Sequence, residues 1–441
     1  SANPVQEQSG SLVYSPSSGE DYSFSRSNSS RSNAFSYNGS YYFALPKDFS
    51  INVTPQFSHS HNNNLLFYAT STASPILRIA RENAYSFLSK RLGHKHTLFL
   101  GMNGGTHINK LRYTGNAVYS DHFQNPFAYG QLCYQFQTNK VNLYADAGVI
   151  WEKTDINGIK NNDTYPCVHI SFRYTLNQEN AFSSYFQFAN NTPGIEAKAS
   201  DMLRDNEYMY ITGNPLLNNS RHISFNMAYT WLPSNMFKMS AYGKYFGLFD
   251  RAITAYEPYD NGSAVLRTYI NDGDYAQGEI GIAAILNLLN KSLQLYVSPT
   301  QKFYRSTGFF DKSFNPFQLT AQATYYLKQW YFQAYYQSAQ KFMFEDSPVT
   351  YKSRNFYSIS AGWANADWNI RLTANNIFNS QWDTANRYIQ TPLYSEHRTT
   401  YGTNSHARLN LSVTYTFGYG KKVQRGNEVG EQSGASSAIM K

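Results

Sequence analysis

The feature that most constrains this chain is a strict alternation of apolar and polar residues that recurs along almost its entire length. The clearest example is residues 406–417, where every second residue from Ala407 to Phe417 is apolar and the residues between them are polar. Because successive side chains of a β-strand point to opposite sides, this stretch predicts a strand with one apolar and one polar face. A single such strand is equally typical of a soluble antiparallel sheet. The repetition of the pattern, without amphipathic helices to cover the apolar faces, favours apolar faces that meet lipid.

The alternating strands come in pairs, and the two strands of each pair are joined by a short polar turn. We predict these turns at residues 46–48, 92–94, 138–140, 177–180, 232–235, 287–291, 328–329 and 365–367. Longer segments, predicted as irregular loops, lie between the pairs at residues 154–165, 190–221, 256–274, 305–315, 344–354 and 378–404. Short turns at one end and long loops at the other are typical of an outer-membrane β-barrel, whose short turns face the periplasm. Two strands per turn plus the last strand make about 17, or about 18 if residues 12–14 and 22–24 form one more. Residues 73–89 fit either a short helix or a loop entering a strand, and we favour the strand.

Composition supports a membrane barrel over a soluble β-sandwich, which remains the alternative. Mean hydropathy is -0.53, and the longest apolar run, residues 280–286, is too short for a membrane-spanning helix of about 20 residues. A barrel hides its hydrophobicity from such averages because only every second residue faces lipid. Aromatic residues reach 17%, and four tryptophans flank predicted tight turns, as in an aromatic girdle: Trp231, Trp330, Trp363 and Trp368. The opposite faces are rich in Gln, Asn, Ser and Thr, which suits a water-filled lumen better than a second dry core.

Charge and reactive residues argue against several functional classes. The net charge of +8 is dispersed, without a basic run interleaved with aromatic residues, so we expect no nucleic-acid partner. Cys133 and Cys167 belong to no metal-binding spacing. His169 and Arg173 share a strand face with Ser171, but this gives no nucleophile–base geometry. His94 and His96 could hold a metal ion, but we favour their capping an exposed turn. We therefore expect no catalytic residues, no metal and no cofactor.

Four motifs, taken in order, are similar to one known family. They are G-N-P-L-L at residues 213–217, N-D-G-D-Y at 271–275, W-N-I-R-L-T-A-N-N-I-F-N at 368–379 and the ending T-Y-T-F-G-Y-G-K-K at 414–422. With them the chain resembles the C-terminal barrel region of TonB-dependent outer-membrane receptors of Bacteroidota, the outer membrane β-barrel protein family. The resemblance covers most of the chain from residue 33 onward.

The resemblance implies a 22-strand barrel closed by an N-terminal plug domain, and active import of a scarce, bulky ligand across the bacterial outer membrane. The implied partners are the TonB complex, a plug domain if one lies upstream, outer-membrane lipid or lipopolysaccharide, the barrel-assembly machinery and a surface lipoprotein. Residues 1–32 show no plug-like segment and no TonB box, and the strand count falls about four short of the family pattern. We therefore expect a portion of a receptor or a plugless relative; a passive porin or a structural component of an outer-membrane complex is the alternative.

We accordingly expect an all-β, up-and-down antiparallel transmembrane barrel over residues 33–417. A polar entry segment with a strand candidate at 1–32 precedes it, and a flexible tail at 418–441 follows it. Candidate ligand or lumen residues are the charged and amide side chains on the polar strand faces: Asp146, His169, Arg173, Glu279, Arg371, Asn375, His406 and Arg408. The alternative is that they pair across the lumen or contact a plug. Loop aromatic residues that could stack on a ligand, or pack within an ordered loop, are Trp382, Tyr388, Tyr394 and Tyr401.

Phe417 ends the last alternating strand and resembles the terminal aromatic residue that the barrel-assembly machinery recognises, although a tail follows it. We expect Phe417→Ala to lower the amount of membrane-inserted protein, because the assembly signal is lost, whereas truncation after Lys422 leaves that amount unchanged. The heat-modifiable band in outer-membrane preparations measures both. A normal yield of folded barrel from Phe417→Ala would contradict the assignment.

Overall fold

The computed structural model describes residues 6–13, 21–68, 71–114, 119–200, 202–206, 209–379, 383–401 and 407–416. The strands of the first part are β1 (Gln6–Val13), β2 (Asp21–Asn38), β3 (Tyr41–Leu45), β4 (Phe49–Tyr68), β5 (Ser71–Leu92), β6 (His96–Thr114), β7 (Tyr119–Gln137), β8 (Val141–Ile156), β9 (Ile159–Thr175), β10 (Asn180–Asn191), β11 (Leu203–Asn206), β12 (Met209–Ile211), β13 (Ser220–Ser234) and β14 (Phe237–Phe249). A short helix, α1 (Ile195–Lys198), lies between β10 and β11.

The second part contains β15 (Ala252–Tyr259), β16 (Ala264–Asn271), β17 (Tyr275–Leu288), β18 (Leu293–Ser306), β19 (Lys312–Phe314), β20 (Phe317–Leu327), β21 (Trp330–Gln337), β22 (Lys341–Met343), β23 (Val349–Ser353), β24 (Phe356–Ala364), β25 (Trp368–Asn375), β26 (Asp383–Gln390), β27 (Ser395–Tyr401) and β28 (Arg408–Tyr415). Two single 3-10 turns, Asp260–Gly262 and Leu289–Lys291, close hairpins. Among the described segments, no helix is long and apolar enough to cross a membrane.

The main sheet is an antiparallel meander of 20 strands in which each long strand pairs with the next long strand along the chain. β3 continues β2 along the edge of β4, and β19 and β20 share the edge of β18. If β2 with β3 is counted as one strand, and β19 with β20 as another, the described residues contain 18 principal strands. This agrees with the 17 or 18 strands expected from the sequence. Residues 12–14 and 22–24 were expected to form one further strand. Residues 12 and 13 instead belong to β1 and residues 22–24 to β2, and these two strands pair with each other. The class expected from sequence, an all-β up-and-down barrel of the outer-membrane type, is confirmed.

All the predicted tight turns join consecutive strands of this meander, at residues 46–48, 93–95, 138–140, 176–179, 235–236, 289–292, 328–329 and 365–367. In an up-and-down meander such alternate connections lie at one end of the sheet, which we call the turn end. The opposite end, which carries the longer connections, is the cap end. The two ends are therefore as unequal as the sequence pattern indicated.

Exposure follows the predicted alternation. Trp330, Phe332 and Tyr336 on β21 are 49%, 43% and 37% exposed, whereas Tyr331, Gln333 and Tyr335 between them are half-buried, which places the apolar face of this strand outward. On β8, Trp151 is exposed on the outer face while Asp146 is buried on the inner face. An apolar outer face and a polar inner face fit a barrel that meets lipid outside and water inside.

The tryptophans predicted as a girdle do lie at the turn end. Trp231, Trp330 and Trp368 are exposed there, and Trp363 is directly opposite Trp330 in the β21–β24 ladder. Amphipathic indole rings concentrate at the membrane–water interface, so this row marks the turn-end boundary of the apolar band.

One expectation about strand ends was wrong. Residues 154–165 form no irregular loop, because β8 and β9 continue through them to the two-residue turn Asn157–Gly158, whose φ angles of 50° and 89° suit a hairpin. The strand favoured within residues 73–89 is confirmed, and it is longer than expected, because all of these residues belong to the 22-residue strand β5. A membrane-spanning strand needs only about 9–11 residues, so these strands project well beyond the bilayer.

The other long connections were also predicted as irregular, and here too the structure differs. They form two four-stranded sheets, β11-β12-β16-β15 and β22-β23-β26-β27, which we call the cap. One buried cluster joins the two cap sheets, from Met209 and Tyr256 in the first to Val349 and Ile389 in the second. A second cluster joins barrel strands β14, β17 and β18 to the cap through Leu248, Tyr275, Tyr304 and Met343. The sequence of these short strands shows no long alternation of apolar and polar residues. The reason is that they pack against other connections, and not between lipid on one side and water on the other.

The orientation of the barrel can be tested with single cysteines. Ala366 lies at the turn end and Leu393, 55% exposed, lies in the cap turn between β26 and β27. In a background with both native cysteines replaced by serine, we expect Leu393→Cys to react with an impermeant maleimide on intact cells. Ala366→Cys, the matched control, should react only after the outer membrane is permeabilised, because short turns face the periplasm. The reverse labelling pattern would show that the barrel is inserted with its cap inside.

The two native cysteines are both buried free thiols, and the strand order keeps them apart. Cys133 is opposite Asp146 of β8, and Cys167 is opposite Gly148 of β8, so a whole strand lies between them. Two strand spacings amount to about 10 Å, beyond the roughly 7 Å between Cα atoms that a disulfide allows. Thiol titration of the unreduced, denatured protein should find two free thiols. An intramolecular crosslink detected by mass spectrometry would mean that the order β7-β8-β9 is incorrect.

Candidate ligand-binding interior

Asp146, which is buried, and His169, which is half-buried, form a polar pair on the inner face of β8 and β9. They are direct cross-strand neighbours, and the His169 Nδ1 atom lies 3.0 Å from the Asp146 Oδ2 atom. The imidazole also lies beside the rings of Tyr144 and Tyr185, with centroids at 5.5 Å and 4.9 Å. Carboxylate and neighbouring rings hold the histidine in one orientation. The arrangement resembles a fixed part of the wall more than a mobile catalytic group.

Glu279 lies on the inner face of β17 between two lysines of the adjacent strands. The Lys244 Nζ atom is 3.4 Å from Glu279 Oε1, and the Lys302 Nζ atom is 3.8 Å from Glu279 Oε2. The three residues form one cross-strand row, because Lys244 is opposite Glu279 and Glu279 is opposite Lys302. One carboxylate thus faces two ammonium groups, and this part of the inner wall keeps a positive charge.

The remaining sequence candidates are scattered. Arg371 of β25 donates to Ser360 Oγ at 3.4 Å on the adjacent strand β24, and to Gln333 Oε1 at 3.1 Å on β21, the strand beyond it. Asn375 is buried and is directly opposite the exposed Arg408 in the β25–β28 ladder.

Arg173 is exposed near the turn end of β9, and His406 lies outside the described residues. The structure therefore brings together Asp146 with His169 and Asn375 with Arg408, and it gathers no single pocket from the full set. The contacts found for Asp146 and Glu279 run between adjacent strands, those of Arg371 reach one and two strands along the wall, and none of these contacts crosses the lumen.

Two of the loop aromatic candidates stack on other residues of the cap. Tyr394 stacks on Tyr256, with ring centroids 4.6 Å apart and an interplanar angle of 13°, and donates to Glu396 Oε2 at 2.8 Å. Burial raises the pKa of Tyr256 to about 12. Tyr388 stacks on His397 at 4.5 Å. These contacts support packing within an ordered cap; Tyr401 ends β27, and Trp382 lies outside the described residues.

Arg251 is a central residue of the cap that sequence reasoning missed. It is fully buried, at 0% exposure. Its Nη1 atom donates to the carbonyl oxygen of Glu345 at 3.2 Å, and its Nη2 atom donates to Ser306 Oγ at 2.6 Å and to the Thr307 carbonyl at 3.2 Å. One guanidinium thereby ties together three connections that are far apart in sequence. A buried cation with hydrogen-bond partners on several segments fixes their relative positions.

The N-D-G-D-Y motif at residues 271–275 packs against the backbone of Arg251. This motif was the one feature of the sequence that pointed to the region around Arg251. The Arg251 backbone N–H donates to the Gly273 carbonyl at 3.2 Å, and the Asp272 N–H donates to the Arg251 carbonyl at 3.0 Å. Asp272 also accepts a hydrogen bond from the Phe309 N–H. Gly273 has a φ of 60°, and a Cβ atom there would clash with the Thr307 carbonyl. The motif therefore builds a close backbone crossing.

The inner wall offers groups that suit the binding of a solute. Within the described ranges, no group of three His, Cys, Asp or Glu side chains is arranged to hold a metal ion. Several polar side chains of the described wall hold one another, as Asp146 with His169 and Glu279 with its two lysines do. What the inner wall offers a solute is hydrogen-bonding groups, aromatic rings and uncompensated positive charge.

No protein-family description and no curated protein sequence matches this chain. Several solved structures match its fold. The copper transporter OprC is 11% identical, with 90% of this chain and 72% of that chain covered and a TM-score of 0.54. The FrpB iron transporter from Neisseria meningitidis (F3-3 variant) is 11% identical, with 90% and 77% covered and a TM-score of 0.52.

The ferric-catecholate import receptor Fiu from K12 E. coli is 10% identical, with 90% of this chain and 65% of that chain covered and a TM-score of 0.55. At such identities the likeness concerns the fold. The chain has the outer-membrane β-barrel fold of these transporters and of this receptor, which confirms the fold class expected from the sequence.

Proposed function

We propose that this chain forms, in the bacterial outer membrane, the barrel of a TonB-dependent receptor that imports a bulky, scarce ligand. The observation that carries the proposal is the cap, two packed sheets with buried clusters of their own above a polar inner wall. A passive pore needs no such ordered layer over its mouth, whereas a receptor needs a shaped surface to select its ligand. The solved structures with this fold include a copper transporter, an iron transporter and a ferric-catecholate import receptor.

The proposal includes the position of this chain in a larger barrel. Within the described ranges, β1 pairs with β2 and β28 pairs with β25, and each has a second edge without a paired strand. Open sheet edges are not tolerated in hydrocarbon, because unpaired backbone groups cost several kcal/mol each. We infer that further strands complete the wall between β1 and β28, and that this chain is the C-terminal part of a receptor. The ending at residues 414–422 and the other motifs are the support for an origin in Bacteroidota.

The proposed partners follow from the same role. The TonB complex would act on a plug domain encoded together with this barrel, and lipopolysaccharide would surround the exposed apolar face. The barrel-assembly machinery would insert the chain. A surface lipoprotein would find its docking surface on the cap, which carries exposed side chains such as Leu216 and Leu393.

Uptake by the native strain tests the proposal. The strain, a deletion of the gene and a TonB depletion are grown in one complex medium, and solute loss from the medium is followed by mass spectrometry. We expect at least one solute to remain unconsumed in both the deletion and the depletion, because uptake needs both the barrel and TonB. Glycerol, which ordinary porins admit, is the control and should be consumed by all three strains.

The competing possibility predicts a different pattern. A passive porin would admit its solutes equally with and without TonB, and the purified chain would show stable single-channel conductance in a planar bilayer. That combination would overturn the proposal.

A further inference from the structure

We propose that the inner wall near the cap end holds a binding site for a small polyanion, formed by Lys244, Lys302, Lys312 and Lys341. We call these residues the lysine wall. The inference deepens the proposed function by naming the chemical class of the ligand, and its biological role rests on that function. The binding site itself is argued from charge, contacts and position in the fold.

The first part of the lysine wall is the row centred on Glu279. Its two ion pairs, at 3.4 Å and 3.8 Å, leave one of the two lysines uncompensated. The row faces the lumen, because the next residue of β17, Ile280, is on the outer face and is 56% exposed. The Lys244 side chain is 55% exposed, so a solute in the lumen can reach it.

The second part is Lys312 with Lys341, at the junction of barrel and cap. Lys312 is opposite Ser306 at the cap end of β18, and Lys341 begins the cap strand β22. The Lys341 Nζ atom lies 4.3 Å from the ring centroid of Phe314, and the Lys312 Nζ atom lies 5.7 Å from that of Phe310. The attraction between a cation and an aromatic face holds these ammonium groups in place without neutralising them.

No carboxylate of the described residues lies within 4.0 Å of the Lys312 or Lys341 ammonium group. Like charges also crowd this place, since Lys341 is directly opposite Lys352 in the β22–β23 ladder. Such pairs destabilise a sheet. Burial, and after it the positive charge of Lys341, lowers the pKa of Lys312. The protein thus holds repelling charges close together, and an anion would relieve the repulsion.

The shape of the surface narrows the class of anion. The rings of Tyr304 and Phe314, 5.0 Å apart, lie between Lys302 and Lys312 on the same face. Four lysines face one carboxylate on this wall, so the complementary ligand carries two or more negative charges. A flat molecule with several carboxylate, phosphate or sulfonate groups could place its charges on the ammonium groups and the edge of its ring against half-buried Phe314, whereas Tyr304 is covered at 4% exposure. The position near the cap is where a ligand arriving through the mouth would first meet the wall.

The experiment uses the full-length native protein, purified and reconstituted in nanodiscs, and pyrene-1,3,6,8-tetrasulfonate, a flat fluorescent tetra-anion, as the probe. We expect saturable binding that weakens as salt rises, because screening shortens the range of the attraction. A pyrene bearing a trimethylammonium group is the control ligand and should not bind. The double variant Lys312→Gln/Lys341→Gln should bind the tetrasulfonate at least about tenfold more weakly, which corresponds to about 1.4 kcal/mol.

The matched control is Lys140→Gln/Lys328→Gln, which removes two lysines from the turn end and should bind as the unmodified chain does. Lys341→Arg keeps the charge and should retain most of the affinity. If the double variant fails to give a heat-modifiable barrel, Lys244→Gln replaces it, since this exposed side chain contributes little packing. Unchanged binding by the folded double variant, equal losses in both double variants, or no binding of the probe by the unmodified chain would overturn the inference.

This measurement involves neither TonB nor transport, so its outcome separates from that of the uptake experiment. Lysine-dependent binding together with TonB-independent uptake would support the polyanion site and contradict the proposed receptor function. TonB-dependent uptake without lysine-dependent binding would support the receptor function and contradict the polyanion site.

Discussion

In a bilayer every backbone N–H and C=O group must find its partner within the protein, and that requirement governs the main sheet of this chain. Each long strand exchanges hydrogen bonds with its neighbours along the meander, and no long helix competes for the residues. Once the backbone is satisfied in this way, only every second side chain needs to be apolar. This is why a chain with a mean hydropathy of -0.53 can present a continuous apolar outer face.

The same constraint explains where the hydrophobic clusters lie. A barrel wall with lipid on one side and water on the other has no dry interior of its own, so its large apolar residues, such as Leu411 and Ile280, are exposed. The two apolar clusters bury their residues within the cap and at its junction with β14, β17 and β18. Arg251 completes this junction with hydrogen bonds to carbonyl and hydroxyl oxygens of separate connections. The cap is thus a packed structure in its own right, attached to the barrel by a shared core.

Ladder geometry also organises the polar inner wall. Side chains directly opposite each other on adjacent strands lie close together, so charged residues find partners on the neighbouring strand before they can reach across a wide lumen. Asp146 with His169 and Glu279 with its two lysines both follow this rule. At Lys312 and Lys341 no neighbouring strand of the described residues supplies a carboxylate, so positive charge remains uncompensated there. This charge makes that part of the wall suitable for binding an anion.

The alternating pattern by itself determined the class of fold, the tight turns, the face of each long strand and the girdle tryptophans, because all of these depend only on a period of two and on local turn chemistry. It also placed Asp146, His169 and Glu279 on the inner face. It could not show that Lys302 completes the Glu279 row, since register between strands is a property of the assembled sheet. Nor could it show that Arg251 joins distant connections, or that Lys341 approaches Phe314. Those contacts join segments far apart in the chain, and only the packing of the cap onto the barrel brings them together.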